Sequence, residues 1–178
     1  MISVRQIAEE LVAREGGRCF DASSDTCPSA RTAPVDDAAV DGILREYFEK
    51  PRISALPDVL QANVFDMYLN AGDVAIRILQ RLLCDMDEKV VVDGVLGPQS
   101  IAAAHRAHAA ADGYLADAYG IARRNYYFRL ADRSLSRRHF AETPDGGKGG
   151  WIRRAEAFIA PRYHLDDRQF RRRVASWT

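Results

Sequence analysis

Between Leu56-Pro57 and Ala71-Gly72 the chain carries Val59, Leu60, Val64, Phe65, Met67, Tyr68 and Leu69, apolar on nearly every side of a helix. Such a helix is stable only when other elements surround it, so this stretch predicts the central buried helix of an all-α fold. Asp66 and Asn70 interrupt it, and each needs a hydrogen-bonding partner. Their pattern fits a structural role or contact with a ligand.

The other segments repeat the helical spacing. Val4, Ile7, Ala8 and Leu11 form one stripe of an opening helix. Asp36 or Asp37 is placed to cap a helix with Val40, Ile43, Leu44, Tyr47 and Phe48 on its inner face, ended by Lys50-Pro51. Asp73 is placed to cap the next, with Ile78, Leu79, Leu82 and Leu83. Pro98 suits the start of an Ala-rich helix to about Ala110. A longer helix runs through Tyr119, Arg123, Arg124, Tyr126 and Tyr127 to about Leu135, and Trp151, Ala155, Phe158 and Ile159 define a short one that Pro161 stops. Strand-like alternation is nearly absent. One short hairpin near residues 90–96, turning at Asp93-Gly94, is the most β-structure expected. Asp145 to Gly150 reads as the most flexible segment, and the tail from Asp166, with Arg171, Arg172 and Arg173, as a basic helix or frayed end facing solvent.

A chain of 178 residues, 47% hydrophobic, suits one domain with a sizeable core. Lys+Arg and Asp+Glu number 25 each, so no global charge draws it to nucleic acid or membrane. Met1 to Glu10 lacks an apolar signal core, and no run reaches the roughly 18 apolar residues of a membrane span, which predicts synthesis in the cytoplasm. Cys19 and Cys27 are close enough to close a small loop under oxidising conditions, while Cys84 reads as an inert core thiol. His105 and His108 have no acidic partner nearby, so neither a metal nor a cofactor is expected.

The candidate chemistry centres on Arg14-Glu15-Gly16-Gly17. Glu15 falls on the next step of the opening stripe, in the last turn before two glycines that can close a helix. Apolar neighbours and the negative end of the helix dipole both disfavour its ionised form, as a general acid near neutral pH requires; alternatively it bends out to water. Arg18 to Ala33 reads as a loop beside it, with Asp21, Asp25, Thr26 and Thr32 suited to catalysis or to ordinary turn bonding. Arg124, Tyr126 and Tyr127 could line a sugar-binding groove, since aromatic faces stack and Arg reaches carboxylates, or could pack with their charged tips in water.

These pieces together resemble the glycoside hydrolase 108 muramidases, phage endolysins in which a lysozyme-like catalytic half precedes a predicted peptidoglycan-binding half. The resemblance rests on three blocks in order from about Val4 to Phe158. They are the helix into Glu15-Gly16-Gly17; Phe65-Asp66, Asn70-Ala71-Gly72, Leu79-Gln80, Asp93-Gly94 and Gly97-Pro98; and Arg124, Tyr126-Tyr127, Phe140 and Gly150-Trp151 with Arg154. It implies a catalytic half over residues 1–71 and a wall-binding half over 72–178, sharing one core. It implies Glu15 as the acid that cleaves the β-1,4 bond between N-acetylmuramic acid and N-acetylglucosamine, with Asp21, Asp25 or Thr32 as the second group and Asp66, Asn70, Arg124, Tyr126 and Tyr127 at the substrate. The chain departs from the family where paired glycines give way to Cys27-Pro28-Ser29. The protein is then expected to act as a monomer on bacterial peptidoglycan, in the periplasm after holin-type release, with no nucleic-acid partner and no stable membrane insertion. A secreted antibacterial effector, a lytic transglycosylase using the same Glu, and a non-catalytic wall-binding protein are the rival readings.

Overall fold

The computed structural model describes residues 2–15, 36–111 and 113–177, with Glu15 described in its backbone only. These residues form an all-α bundle in which α3, Asp58–Ala71, is the central element, with Leu60, Val64, Phe65 and Met67 fully buried. Around it lie α1 (Val4–Glu15), α4 (Val74–Asp85) and α6 (Leu115–Arg133), with α2 (Asp37–Leu44) packed on α1. α5 (Pro98–Ala110), α7 (Arg138–Ala141), α8 (Gly150–Glu156) and α9 (Asp167–Val174) complete the set. One hydrophobic core runs from Ile7 to Trp177.

Local sequence explains the boundaries. Ser3 and Gln6 cap α1 reciprocally, since the Gln6 amide donates to Ser3 Oγ at 3.1 Å and the Ser3 amide to Gln6 Oε1 at 2.9 Å. The inner face of α1 is the expected stripe, with Ile7 and Ala8 buried. Asp36 caps α2 by accepting from the Ala38 amide. α2 then passes into a π-helical turn over Arg45–Glu49, which brings Phe48 edge-on to Phe65 at 5.5 Å and leaves Tyr47 exposed rather than on the inner face. Gly72, at φ +59°, closes α3. Asp73 does not cap α4; its carboxylate accepts from Arg77 one turn on instead.

Several expectations are corrected by packing. Residues 90–96 pair into no strand, and among the described residues an isolated antiparallel bridge joins Glu142 to Lys148. The glycine-rich segment is a bonded turn: the Thr143 amide donates to Gly147 O and the Gly149 amide to Ala141 O. α8 ends at Glu156, ahead of Pro161, which opens a further 3-10 turn. The tail is docked, because Phe170, Val174 and Trp177 are buried and Arg173 pairs with Asp132 at 2.6 Å, while Arg171 and Arg172 face water. Cys84 is exposed, bordering the open space between α4 and α6, and its thiol donates to Val90 O at 3.4 Å. Among the described residues no helix is long and apolar enough to cross a membrane.

Candidate functional site

α3 carries Asp66 into the core, where the carboxylate must be matched by cations. α6 supplies Arg123, wholly buried, whose Nη2 donates to Asp66 Oδ2 at 2.5 Å and whose Nη1 donates to Asn63 Oδ1 at 2.9 Å. α8 supplies Arg154, whose Nε donates to both Asp66 oxygens at 2.9 Å. Burial alone would weaken the hold of Arg123 on its proton, but the Tyr127 phenol and the Asp66 carboxylate outweigh it and keep the group above its ordinary value. Arg123 thus does not extend its tip to water as an amphipathic helix position would. The signal that could have found it was Asp66 itself, a charge in an apolar helix that obliged some other element to provide an arginine.

A second cluster forms at Glu156, which is 4% exposed. It accepts from Arg124 at 2.8 Å, from Lys148 at 2.5 Å and from the Leu165 amide at 2.9 Å. Burial pushes this carboxyl up, yet Lys148 and the Leu165 amide bring it below the usual carboxylate range. Arg124 also donates to Tyr163 O at 2.9 Å. Lys148 came from the segment expected to be flexible, and Glu156 carried no pattern of its own in the sequence.

The third cluster fixes the turn before α5. Gln80, wholly buried in α4, donates to Asp93 Oδ1 at 2.8 Å and to Val95 O at 3.0 Å, and its Oε1 accepts from the Gly94 amide at 2.9 Å. The Val95 amide and Gln80 both hold Asp93 below its ordinary pKa. Gly94 sits at φ +82° against Asp73 and Arg77, where a side chain would be strained and crowded.

The positions expected at a substrate separate into two groups. Asp66, Arg124 and Tyr127 are buried and committed to protein partners. Asn70 and Tyr126 reach the surface: Asn70 Nδ2 donates to Tyr127 Oη at 2.7 Å, and Tyr126 tilts on Tyr127 with centroids 6.0 Å apart. Tyr127 stacks on Trp151 at 5.0 Å and Trp151 on Phe140 at 4.8 Å, with Phe140 against His139 at 3.9 Å. The rings spend their faces on one another, which makes this stack a brace between α6, α7 and α8 rather than an open sugar platform. Glu15 is the last residue of α1, and its side chain lies outside what is described. Asp21, Asp25, Thr26, Thr32 and the Cys19 and Cys27 pair also lie outside the described residues.

Among the described residues, a smaller cleft of about 190 Å³ lies beside Asp145 and Arg171, and two sizeable ones open on the bundle. One, of about 670 Å³, lies where α1 and α3 begin, lined by Val4, Val59, Ala62, Asp117 and Phe158 among others. Glu15 closes α1 at the opposite end, roughly 16 Å along the helix axis. The other, of about 480 Å³, separates α4 from α6 and is lined by Ile78, Arg81, Leu82, Cys84, Asp85, Ala122, Asn125 and Arg129. Among the described residues no group of acidic, His or Cys side chains could hold a metal; His105 Nε2 is within 3.0 Å of Ala55 O.

Residues 74–156, from the first residue of α4 to the last of α8, match a family model described as a predicted peptidoglycan domain. No curated protein and no solved structure matches the chain. The matched segment holds the Gln80 turn, the aromatic brace and the Arg124–Glu156 pair, and it ties the chain to peptidoglycan.

Proposed function

We propose that the protein is a muramidase of endolysin type, cutting the β-1,4 bond between N-acetylmuramic acid and N-acetylglucosamine with Glu15 as general acid. The observation that carries this reading is the order of parts: a capped helix whose last described residue is Glu15, followed in sequence by Gly16-Gly17, precedes the segment matching a predicted peptidoglycan domain. Glycosidic cleavage needs a proton on the leaving oxygen while positive charge develops on the sugar ring. Glu15, at the negative end of its helix, suits that donation, and Asp21, with Asp25 and Thr32 behind it, is the candidate to hold water or stabilise the ring. Asn70 and Tyr126 are the substrate contacts nearest the surface, while Asp66, Arg124 and Tyr127 act through them by fixing α3, α6 and α8. The enzyme would be made in the host cytoplasm and reach the wall after holin-type release.

Purified protein and its Glu15→Gln variant, compared for clearing of sacculi and of chloroform-treated Gram-negative cells, test this. The variant should lose about 100-fold or more of the rate, the usual share of a general acid. Mass spectrometry of the products should show reducing muramic acid ends; anhydro ends would mean a transglycosylase. Equal clearing by both proteins rules Glu15 out as the acid. Retention on sacculi without cleavage by either identifies a non-catalytic wall binder.

A further inference from the structure

The α4–α6 cleft lies wholly within the segment that matches a predicted peptidoglycan domain, yet no block of the family resemblance uses its lining. Its floor is aliphatic, from Ile78, Leu82 and Ala122, and its walls carry Arg81, Arg129, Asn125 and Asp85. The arginines of the bundle's interior are engaged, Arg123 and Arg154 on Asp66 and Arg124 on Glu156, whereas Arg81 and Arg129 are exposed where they line the cleft. Arg81 and Arg129 make no hydrogen bond or ion pair among the described residues, and neither do Asp85 and Asn125, although all four border one cavity. Two arginines and one carboxylate among the lining residues leave the cleft with one net positive charge, and the planar fork of each arginine is shaped for a carboxylate.

The wall polymer offers carboxylates on its peptide arms as well as sugars on its strands. The sugar face has no counterpart here, because the cleft contains no aromatic ring. We propose that this cleft binds the peptide arm of peptidoglycan, with a carboxylate held between Arg81 and Arg129, the amine of the same zwitterionic residue near Asp85, and aliphatic side-chain carbons over Ile78, Leu82 and Ala122. Asn125 supplies a neutral donor to the same carboxylate or to a peptide carbonyl. The inference rests on the chain's being a wall protein, but not on Glu15 or on any cleavage.

The test uses the full chain and a synthetic wall tripeptide ending in diaminopimelate, titrated by calorimetry. The tripeptide should bind, more weakly as salt rises, and Arg81→Gln and Arg129→Gln should each weaken binding about tenfold or more while leaving the melting temperature unchanged. The same peptide with its carboxylates amidated should not bind, and inorganic phosphate at equal concentration should not displace the free peptide. The proposal is overturned if the tripeptide does not bind, if both variants bind it as the parent does, if amidation is without effect, or if phosphate competes equally, which would mark a general anion site. Parallel retention on whole sacculi separates the two levels: sacculi held while the tripeptide is ignored leaves the wall reading standing and removes this cleft from it.

Discussion

At the level of single side chains, the interior is held by carboxylates that have each been given more than one cation. Glu156 is the clearest case, since it takes bonds from Arg124, Lys148 and the Leu165 amide in a site almost closed to water. Its folded pKa lies below the ordinary value, so its contribution is fully present above the unfolded pKa of about 4.3 and is lost as pH falls through the folded one. Glu156→Gln should therefore cost about 3 kcal/mol at pH 7, where Arg124 and Lys148 are left without a counter-charge. The gap between variant and parent should close in urea titrations as the pH is taken below about 4. An unchanged gap at acid pH would mean that packing, not charge, accounts for the loss. Asp132 shows the same logic at the surface, where Arg173 and Trp177 draw its pKa down and pin the last helix.

At the level of elements, periodicity was enough to locate α1, α2, α3, α4 and α6, because each buries a stripe that the sequence displays. It failed where bonding rather than hydrophobicity shapes the backbone. The turn over Thr143–Gly149 looks loose in a sequence of glycines, but Gly146 takes a left-handed φ of +79° and Gly149 lies where α7 and α8 approach closely. A Cβ on Gly149 would lie 2.5 Å from Phe140 O and 2.6 Å from Ala141 C, contacts with backbone that cannot rotate away. Gly149→Ala should cost roughly 1–3 kcal/mol by overpacking and disturb the Phe140–Trp151 stack, visible as a shift in near-ultraviolet circular dichroism. Gly150→Ala, one residue on with open space around it, is the control and should be near neutral. The candidate catalytic group was legible for a different reason: Glu15 stands out only as an acid on an apolar stripe before two glycines. Arg123 was not legible from its own surroundings, because an arginine beside tyrosines in a long helix has the same pattern whether its tip is wet or dry, and only Asp66 called for a buried arginine.

At the level of the whole molecule, the division near Ala71 is a division of sequence blocks that the packing crosses. Asn63, Asp66 and Met67 belong to the first half and Arg123, Arg154 and Tyr127 to the second; the bonds of Arg123 to Asn63 and Asp66 and of Tyr127 to Met67 are buried, and that of Arg154 to Asp66 is partly so. Arg123 cannot reach water if Asp66 loses its charge, whereas Arg154, partly exposed, can. Asp66→Asn should therefore destabilise the protein by about 3–5 kcal/mol, the cost of stranding a buried charge, although the substitution is nearly isosteric. Both tryptophans, Trp151 and Trp177, lie in the second half, so their fluorescence reports on it alone, while far-ultraviolet circular dichroism reports on all helices. If the halves share one cooperative core, the variant should shift the two urea transitions together and to the same extent, even though the altered residue is in the first half. A fluorescence transition that stayed in place while the dichroism became biphasic would show two independent folding units. In a shared core the segment that matches a predicted peptidoglycan domain cannot be detached intact, and a change at the α4–α6 cleft is coupled through α6 to Asp66 and the central helix.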